Sequence, residues 1–233
     1  MDYNLGNDEN EEEKYEQIMD KETLKKNRIK IMICMVFVFI ADGMEMRVFN
    51  LLIKPFGDYF KFDETSLSIQ FAASSIFLGI MIGSAIASLL TKKFNRILII
   101  NISNFVFFIS YLIKGMWMSF PVFVICRAIT GLALGIIIPI FMNIFGEYSP
   151  YKYRGLLLMI TWTVFGVGEL ISSLTGLIVM PELQTDKLQT FLLVLAVLPF
   201  LGFISCVFLL KDSPRGLLLS KKIIENNSMN SMN

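Results

Sequence analysis

A chain of 233 residues that is 55% hydrophobic, contains 21 Phe and has a mean hydropathy of +0.62 is more apolar than soluble proteins are. The composition therefore indicates a membrane protein, and the net charge of +1 leaves no basic patch for nucleic acid. The absence of His excludes His-based triads, general bases and His metal sites. We predict that the chain is not an enzyme and carries no metal or cofactor.

The two ends of the chain are polar. Residues 1–29 are rich in Asp and Glu and nearly free of apolar side chains, so they cannot bury enough surface to offset the entropy of ordering. We predict that 1–29 is a disordered acidic cytoplasmic tail, and not a signal peptide, because the acidic run lies where a basic segment should be. Residues 211–233 are predicted to be a second cytoplasmic tail, at the start of a central loop.

Six long apolar stretches lie between these ends, and each has about the 20 residues that a helix needs to cross the bilayer. They cover roughly 30–53, 66–91, 97–118, 120–146, 155–180 and 190–210. The sequence therefore predicts an all-α, polytopic membrane protein whose transmembrane bundle occupies 30–210.

Lys and Arg in the short loops predict the orientation, because cytoplasmic loops carry an excess of both. With the N-terminus inside, the inner side holds Lys25, Lys26, Arg28, Lys30, Lys92, Lys93, Arg96, Lys152, Arg154, Lys211, Arg215, Lys221 and Lys222. The outer side holds only Lys54, Lys61, Lys114 and Lys187. This asymmetry predicts that both termini are cytoplasmic, and it does not distinguish the plasma membrane from a vesicle membrane.

Glycines four residues apart predict close contacts between helices. Gly131 and Gly135 stand on one face of the fourth span, and Gly79 and Gly83 are spaced in the same way on the second. Because glycine has no side chain, each pair lets another helix approach closely. We therefore predict helix packing at these four positions.

Several motifs resemble those of the major facilitator superfamily, specifically its sugar-porter, organic-ion and synaptic-vesicle-2-related branch. That family carries Arg-x-x-x-Gly in the fourth helix, Glu-x-x-Pro and Arg-Gly in the following loop, and Pro-Glu-Ser-Pro-Arg after the sixth helix. The matching residues are Arg127, Gly131, Glu147, Pro150, Arg154, Gly155, Ser213, Pro214 and Arg215, with Asp212 at the Glu position. The resemblance implies one six-helix half of a major facilitator fold. It also implies a transporter of a small organic solute or ion, secondary active and proton-coupled.

One motif departs from the family pattern. The loop after the second helix usually reads Gly-x-x-x-Asp-Arg-x-Gly-Arg-Arg, and here Ser88, Lys92 and Asn95 replace the first Gly, the Asp and the second Gly, while Lys93 and Arg96 remain. In the family the Asp belongs to a cytoplasmic charge latch. We predict that Glu147, Arg154, Asp212 and Arg215 still form inner-face ion pairs. The alternative is that the basic residues only anchor the topology, although this does not explain the acid Glu147.

Four ionisable residues lie at one depth of the bilayer. By helix rise, Glu45 sits about 22 Å and Asp42 about 18 Å above the inner end of the first span, with Arg127 about 20 Å and Glu169 about 21 Å above the inner face. A charge at the bilayer centre costs roughly 3 kcal/mol on insertion scales, so such residues face a cavity or one another. Asp42 and Glu45 are three residues apart and share one helix face.

The resemblance implies a role for two of these residues. In proton-coupled relatives an acid two residues after a Gly on the first helix pairs with the Arg of the fourth, and Glu45 after Gly43, with Arg127, matches those positions. The hypothesis is that Glu45 exchanges a proton, with its affinity set by the approach of Arg127. The alternative is a fixed ion pair that holds the two helices together. Arg47 is expected to extend outward towards the membrane surface.

The substrate is only weakly indicated. Sugar porters have a Gln eight residues after the loop Arg, and this position is Trp162, which counts against a sugar. Glu169 matches no family motif, and an acid at mid-depth would suit a cationic substrate or a second proton site. Trp162, Phe165 and Trp117 offer aromatic faces for an aromatic or quaternary-ammonium ligand.

The family implies two six-helix halves that hold the substrate between them. This chain ends shortly after the sixth span, and three interpretations stay open: a truncated product or gene model, a half-transporter that dimerises, and a membrane-embedded interaction protein that has lost transport. If the chain transports, we expect its partners to be the lipid bilayer, a small-molecule or ion substrate, and a second six-helix half. That half would be a continuation of this chain or a second copy of it.

Overall fold

The structure is a computed structural model that describes residues 21–61, 66–149, 154–181 and 187–210. The described residues form helices joined by short connections. In chain order these are α1 (Lys21–Phe60), α2 (Leu67–Lys93), α3 (Arg96–Met116), α4 (Phe120–Tyr148), α5 (Arg154–Val179), α6 (Leu188–Leu195) and α7 (Val197–Leu209). The all-α fold predicted from the sequence is confirmed.

Two of the helices begin directly after a residue whose side chain caps the helix N-terminus. The Ser66 side chain accepts a hydrogen bond from the Ile69 N–H at the start of α2, and the Asn95 side chain accepts one from the Ile97 N–H at the start of α3. Such caps satisfy N–H groups that have no partner within the helix. Asn95, which replaces a family glycine, therefore begins α3 directly after α2 ends.

Within the described ranges, five helical stretches are long and apolar enough to cross a membrane: Leu67–Lys93, Arg96–Met116, Phe120–Glu147, Leu158–Val179 and Leu188–Leu209. These correspond to the second to sixth predicted spans. The first predicted span lies within α1, which is long enough but contains Asp42, Glu45 and Arg47 in its apolar part. The described residues thus contain the six predicted helical spans, one of them interrupted by charges.

Helix α1 is longer than predicted at both ends. It begins at Lys21, within the predicted tail 1–29, and it continues through Pro55 to Phe60. Residues 21–29 contain Glu, Leu, Lys and Arg but no Gly or Pro, so an apolar helix that has already formed extends readily through them. Residues 1–20 and the predicted tail 211–233 lie outside the described residues.

The sixth predicted span consists of two consecutive helices, α6 and α7, which meet at Ala196. Pro199 lies in the first turn of α7, where its missing N–H removes the hydrogen bond that would continue the preceding helix. The last turn of α6 is closed by the Ala196 N–H, which donates to the carbonyls of Leu192 and Leu193.

Helices α2 and α4 make the most extensive contact in the bundle. A Cβ atom added to any one of four glycines would overlap a backbone carbonyl oxygen of the opposite helix. These pairs are Gly79 with Ala128, Gly83 with Leu132, Gly131 with Ile76, and Gly135 with Ile80. The structure thus places the four glycines singled out in the sequence at the α2–α4 crossing.

A second close crossing joins α1 to α5. A Cβ on Gly43 would overlap the carbonyl oxygen of Phe165, and a Cβ on Gly168 would overlap that of Ile40. Gly43 lies between Asp42 and Glu45 in sequence. The crossing therefore holds α5 against the charged segment of α1.

The outer surface of the bundle is strongly apolar. Large hydrophobic side chains that are mostly exposed include Leu67, Phe77, Met81, Leu177, Ile178 and Phe208. A continuous apolar surface of this kind is unfavourable in water and suits the hydrocarbon of a bilayer. Multi-pass insertion of the bundle follows from this surface and from the lengths of the helices.

The α2–α4 crossing gives a test of the glycine packing. We expect Gly131→Ala to destabilise the chain by about 1 to 3 kcal/mol, because the new methyl group must displace the Ile76 backbone. The matched control is Gly166→Ala, since a Cβ at Gly166 meets nothing within 4 Å. Thermal unfolding in detergent should show a lower Tm for the first variant and an unchanged or higher Tm for the second. Equal effects of the two variants would contradict the close crossing.

Candidate functional site

The Glu45 carboxylate is the centre of a buried ion cluster. Lys114 Nζ donates to both of its oxygens, at 3.1 Å to Oε1 and 2.9 Å to Oε2. Arg127 Nη1 lies 3.5 Å from Oε1. The side chains are 0%, 1% and 3% exposed for Glu45, Lys114 and Arg127. Three helices, α1, α3 and α4, therefore each contribute one charge to a site sealed from the surroundings, which we call the ion triad.

Lys114 lies in surroundings that differ from those predicted. The loop pattern places it on the outer side, but it lies in the last turn of α3 with its side chain directed into the bundle. Its ammonium group also lies 3.9 Å from the ring centroid of Tyr111, one turn earlier on α3. A lysine near a helix end has a stem long enough to reach either the membrane surface or the bundle interior. The carboxylate and the aromatic face decide the direction.

Arg127 contacts the same face of α1 that carries Glu45. Its guanidinium carbon lies 4.5 Å from the ring centroid of Phe49, which is one turn beyond Glu45 on α1. Among the described residues its Nε atom has no hydrogen-bond partner. The pairing with Glu45 expected from the family resemblance is present, but the closer and better bonded cation is Lys114.

Asp42 lies beside the ion triad without a partner of its own. It is 2% exposed, and within the described part of the chain its Oδ1 atom accepts no hydrogen bond. It stands three residues before Glu45, so the two carboxyl groups project from the same side of α1. A buried polar atom without a partner is unusual and commonly marks a functional group.

The cluster balances two acids against two cations in the interior of the bundle. Removing one member of a buried ion pair leaves an uncompensated charge and typically costs about 3 to 5 kcal/mol. Each residue of the ion triad is therefore held by the others, and α1, α3 and α4 are joined through this one carboxylate. Such a cluster can respond to a proton or to a charged ligand, since either one changes its balance.

A second polar group lies on the side of α1 that faces α5. Arg47 Nε donates to Ser173 Oγ at 3.2 Å, and Ser173 Oγ donates to the Glu169 carbonyl oxygen at 2.9 Å. The expectation that Arg47 extends outward towards the membrane surface stays a prediction. Its side chain is exposed but turned to α5, because the α1–α5 glycine crossing brings a hydroxyl within its reach.

The other predicted site residues of α5 line its partly exposed face. Trp162 is 51% exposed, and its ring contacts Phe39 edge-on with centroids 5.5 Å apart. Glu169 is half-buried, and within the described residues its carboxylate has no hydrogen-bond or ion-pair partner. Within the described part of the chain, neither residue has a hydrogen bond, ion pair or ring contact with the ion triad, so the four charges predicted at one depth divide into two groups.

At the opposite end of the bundle, an ion pair lies between two described residues of the inner-face motifs. Arg96 Nη1 lies 2.6 Å from Glu147 Oε1 and joins the start of α3 to the end of α4. Lys92 and Lys93 are exposed in the last turn of α2. The pairs predicted among Glu147, Arg154, Asp212 and Arg215 stay a prediction, because Asp212 and Arg215 lie outside the described residues and the structure describes only the backbone of Arg154. The partner found for Glu147 is Arg96, which belongs to the motif after the second helix and was not among the residues expected to pair with Glu147.

A bundle of six helical spans is the architecture expected of one half of a major facilitator protein. A crystal structure of a D-xylose-proton symporter superimposes with a TM-score of 0.72 at 18% identity, over 87% of this chain and 53% of that one. The partially occluded inward-open form of the xylose transporter XylE from E. coli gives a TM-score of 0.73 at 18% identity, over 88% and 57%. At such identities the similarity concerns the fold.

The chain belongs to the family described as "Sugar (and other) transporter", whose model matches residues 4–232. The predicted major facilitator relationship is thereby confirmed, as is the prediction that the chain is not an enzyme, because this is a family of transporters. The closer kinship with synaptic-vesicle-2-related proteins stays a prediction.

Curated relatives are similar over most of this chain. Sugar transport protein MST7 of Oryza sativa subsp. japonica is 29% identical over 176 residues, which are 73% of this chain and 33% of the relative. The 4-hydroxybenzoate transporter PcaK of Acinetobacter baylyi is 23% identical over 190 residues, 82% of this chain and 40% of the relative. The chain thus spans between a third and two fifths of these relatives and about half of the solved structures.

The ion triad predicts a specific pattern of stabilities. Lys114→Met should destabilise the chain by about 3 to 5 kcal/mol, since it leaves Glu45 buried with a single, more distant cation. The double variant Glu45→Gln, Lys114→Met should recover part of this loss, because it removes both charges. Lys54→Met, at an exposed position on α1, is the matched control and should change little. The measurement is thermal unfolding in detergent.

A Lys114→Met variant as stable as the parent chain would argue against the buried pair. The same holds if the double variant loses as much stability as the two single changes added together, because independent sites add and coupled sites do not.

Proposed function

We propose that this chain is the N-terminal half of a secondary transporter for a small organic solute, and that the ion triad is its coupling centre. The observation that carries the proposal is the burial of Glu45 with Lys114 and Arg127, three charges from three helices that are each at most 3% exposed. Family membership supports transport, and the curated relatives are carriers of sugars and of 4-hydroxybenzoate.

A buried ion triad suits a transporter because its energy depends on the distances between helices. Ionisable groups within the bilayer are costly, and they typically mark substrate or ion pathways. When helices shift between two states, a change in the charge balance around the triad must be compensated by a proton at a neighbouring group or by a solute charge. The triad therefore offers a point where movement of the helices and binding of a ligand are linked.

Asp42 is the stronger candidate for the coupled proton. The family resemblance pointed to Glu45, but protonation of Glu45 would leave Lys114 and Arg127 buried without their counter-charge. Asp42 can gain or lose a proton without breaking any ion pair, since its Oδ1 has no partner in the described structure. We therefore propose that Asp42 exchanges the proton and that Glu45 holds the two cations in place.

The remaining features of the transporter follow from the family pattern. A second six-helix half, supplied by a continuation of the chain or by a second copy, would close the pathway on the face that carries Arg47 and Trp162. The excess of Lys and Arg in alternate loops supports cytoplasmic termini. Assigning Lys114 to the bundle interior removes it from the outer side and makes that excess larger.

Uptake into proteoliposomes tests both transport and the proton site. The panel of solutes is D-xylose, 4-hydroxybenzoate and tetraethylammonium, each measured with and without an inward proton gradient. We expect the gradient to stimulate uptake of one solute in the parent chain. Asp42→Asn should abolish this stimulation and retain exchange of the solute, because the ion triad is intact. Glu45→Gln should lower both, because it disrupts the triad.

Stimulation by the gradient that survives in Asp42→Asn and disappears in Glu45→Gln would assign the proton to Glu45 instead. If cross-linking shows that two copies of the chain associate in the liposomes, so that both halves are present, uptake of none of the three solutes would contradict the transporter function and favour the membrane-embedded interaction protein.

A further inference from the structure

We propose that α5 carries the binding site for an organic cation, with Glu169 as the counter-charge and Trp162 and Phe165 as aromatic walls. This inference rests on the proposed transport function and names the substrate class of that transporter. The inference is based on an unpaired carboxylate and two aromatic rings that share one partly exposed face of a membrane-spanning helix.

The three residues share a face of α5 because of their spacing. Phe165 follows Trp162 by three positions, and Glu169 follows Phe165 by four, so the side chains lie above one another on successive turns. The rings of Trp162 and Phe165 have centroids 6.3 Å apart at an interplanar angle of 54°. Two tilted rings followed by a carboxylate form a continuous strip that combines aromatic faces with negative charge.

This strip is accessible in the described bundle. Trp162 is 51% exposed, and Phe165 and Glu169 are half-buried. The α1–α5 glycine crossing places the strip next to the segment of α1 that carries Asp42 and Glu45, because Gly43 faces the backbone of both Phe165 and Glu169. A ligand on this face would therefore lie against the helix that holds the coupling residues.

Glu169 needs a positive partner that the described residues do not provide. By helix rise it lies about 21 Å above the inner face, in the apolar interior of the bilayer, where an unpaired carboxylate is unfavourable. Lys114 and Arg127 are both committed to Glu45. Arg47 is the cation on the adjacent helix face, and its Nε donates to Ser173, one turn beyond Glu169, without forming an ion pair with Glu169.

The chemistry of the strip selects among solute classes. A quaternary or primary ammonium group would pair with the carboxylate and lie over the faces of Trp162 and Phe165, an arrangement that aromatic rings favour for cations. A carboxylate solute would meet the negative charge of Glu169, and a neutral solute would leave that charge uncompensated. An organic cation is the class that satisfies both features together.

Binding of tetraethylammonium to the full chain in nanodiscs tests the site. The sequence has two Trp residues, so the Trp117→Phe background leaves Trp162 as the single reporter. We expect a saturable change in Trp162 emission and saturable binding of radiolabelled tetraethylammonium. Glu169→Gln should weaken binding by at least about tenfold, Trp162→Leu should weaken it by about tenfold, and Trp162→Phe should retain most of it.

Matched controls separate this site from general effects of charge and stability. Asp58→Asn removes an exposed acid from α1 and should leave binding unchanged. Glu169→Asp keeps the charge and should bind far more tightly than Glu169→Gln. If Glu169→Gln does not fold, as judged by its thermal unfolding, Trp162→Leu compared with Trp162→Phe decides the question.

Several results would overturn the inference. One is tetraethylammonium binding that is insensitive to Glu169→Gln, or equally sensitive to Asp58→Asn. Another is binding or uptake of D-xylose or 4-hydroxybenzoate without tetraethylammonium, which would leave the transporter function standing and remove only the cation site. Absence of any tetraethylammonium binding to the folded chain would likewise reject it.

Discussion

A single carboxylate that holds two cations inside the bilayer is the interaction on which the rest of this structure depends. Glu45 joins Lys114 of α3 and Arg127 of α4 to α1, and none of the three groups reaches water. Their burial is tolerable only because each charge compensates another. The positions of three helices, and the electrostatic state of the neighbouring Asp42, are therefore set by the same contact.

Close crossings between helices supply the framework in which this contact forms. Glycines at the α2–α4 and α1–α5 interfaces bring backbones to distances that any side chain would prevent. Within a membrane, where burying apolar surface gives little advantage, such close packing is a main source of helix association. Gly43 lies in the charged segment of α1. The crossing that holds α5 against α1 therefore also determines which part of α5 lies next to that segment.

Much of the fold and part of the site were predictable from the sequence. The six helical spans follow from apolar length, the four packing glycines follow from their spacing, and the family follows from motifs such as Arg127 and Glu147. Depth along a helix also follows from residue number, because the rise per residue is constant. Rotation about the helix axis and the path of a long side chain do not follow from residue number. For this reason the sequence alone places Lys114 in the wrong surroundings and does not indicate the contact between Arg47 and Ser173.

By itself, the sequence determined that the chain crosses the membrane as helices and that acids and a guanidinium lie at similar depth within it. Only the tertiary structure decided which charges meet. It assigned Lys114 to Glu45, Arg96 to Glu147 and Arg47 to Ser173, and it left Asp42 and Glu169 without partners among the described residues. The physical reason is that apolar length follows from local composition, whereas an ion pair depends on contacts between helices that are distant in the chain.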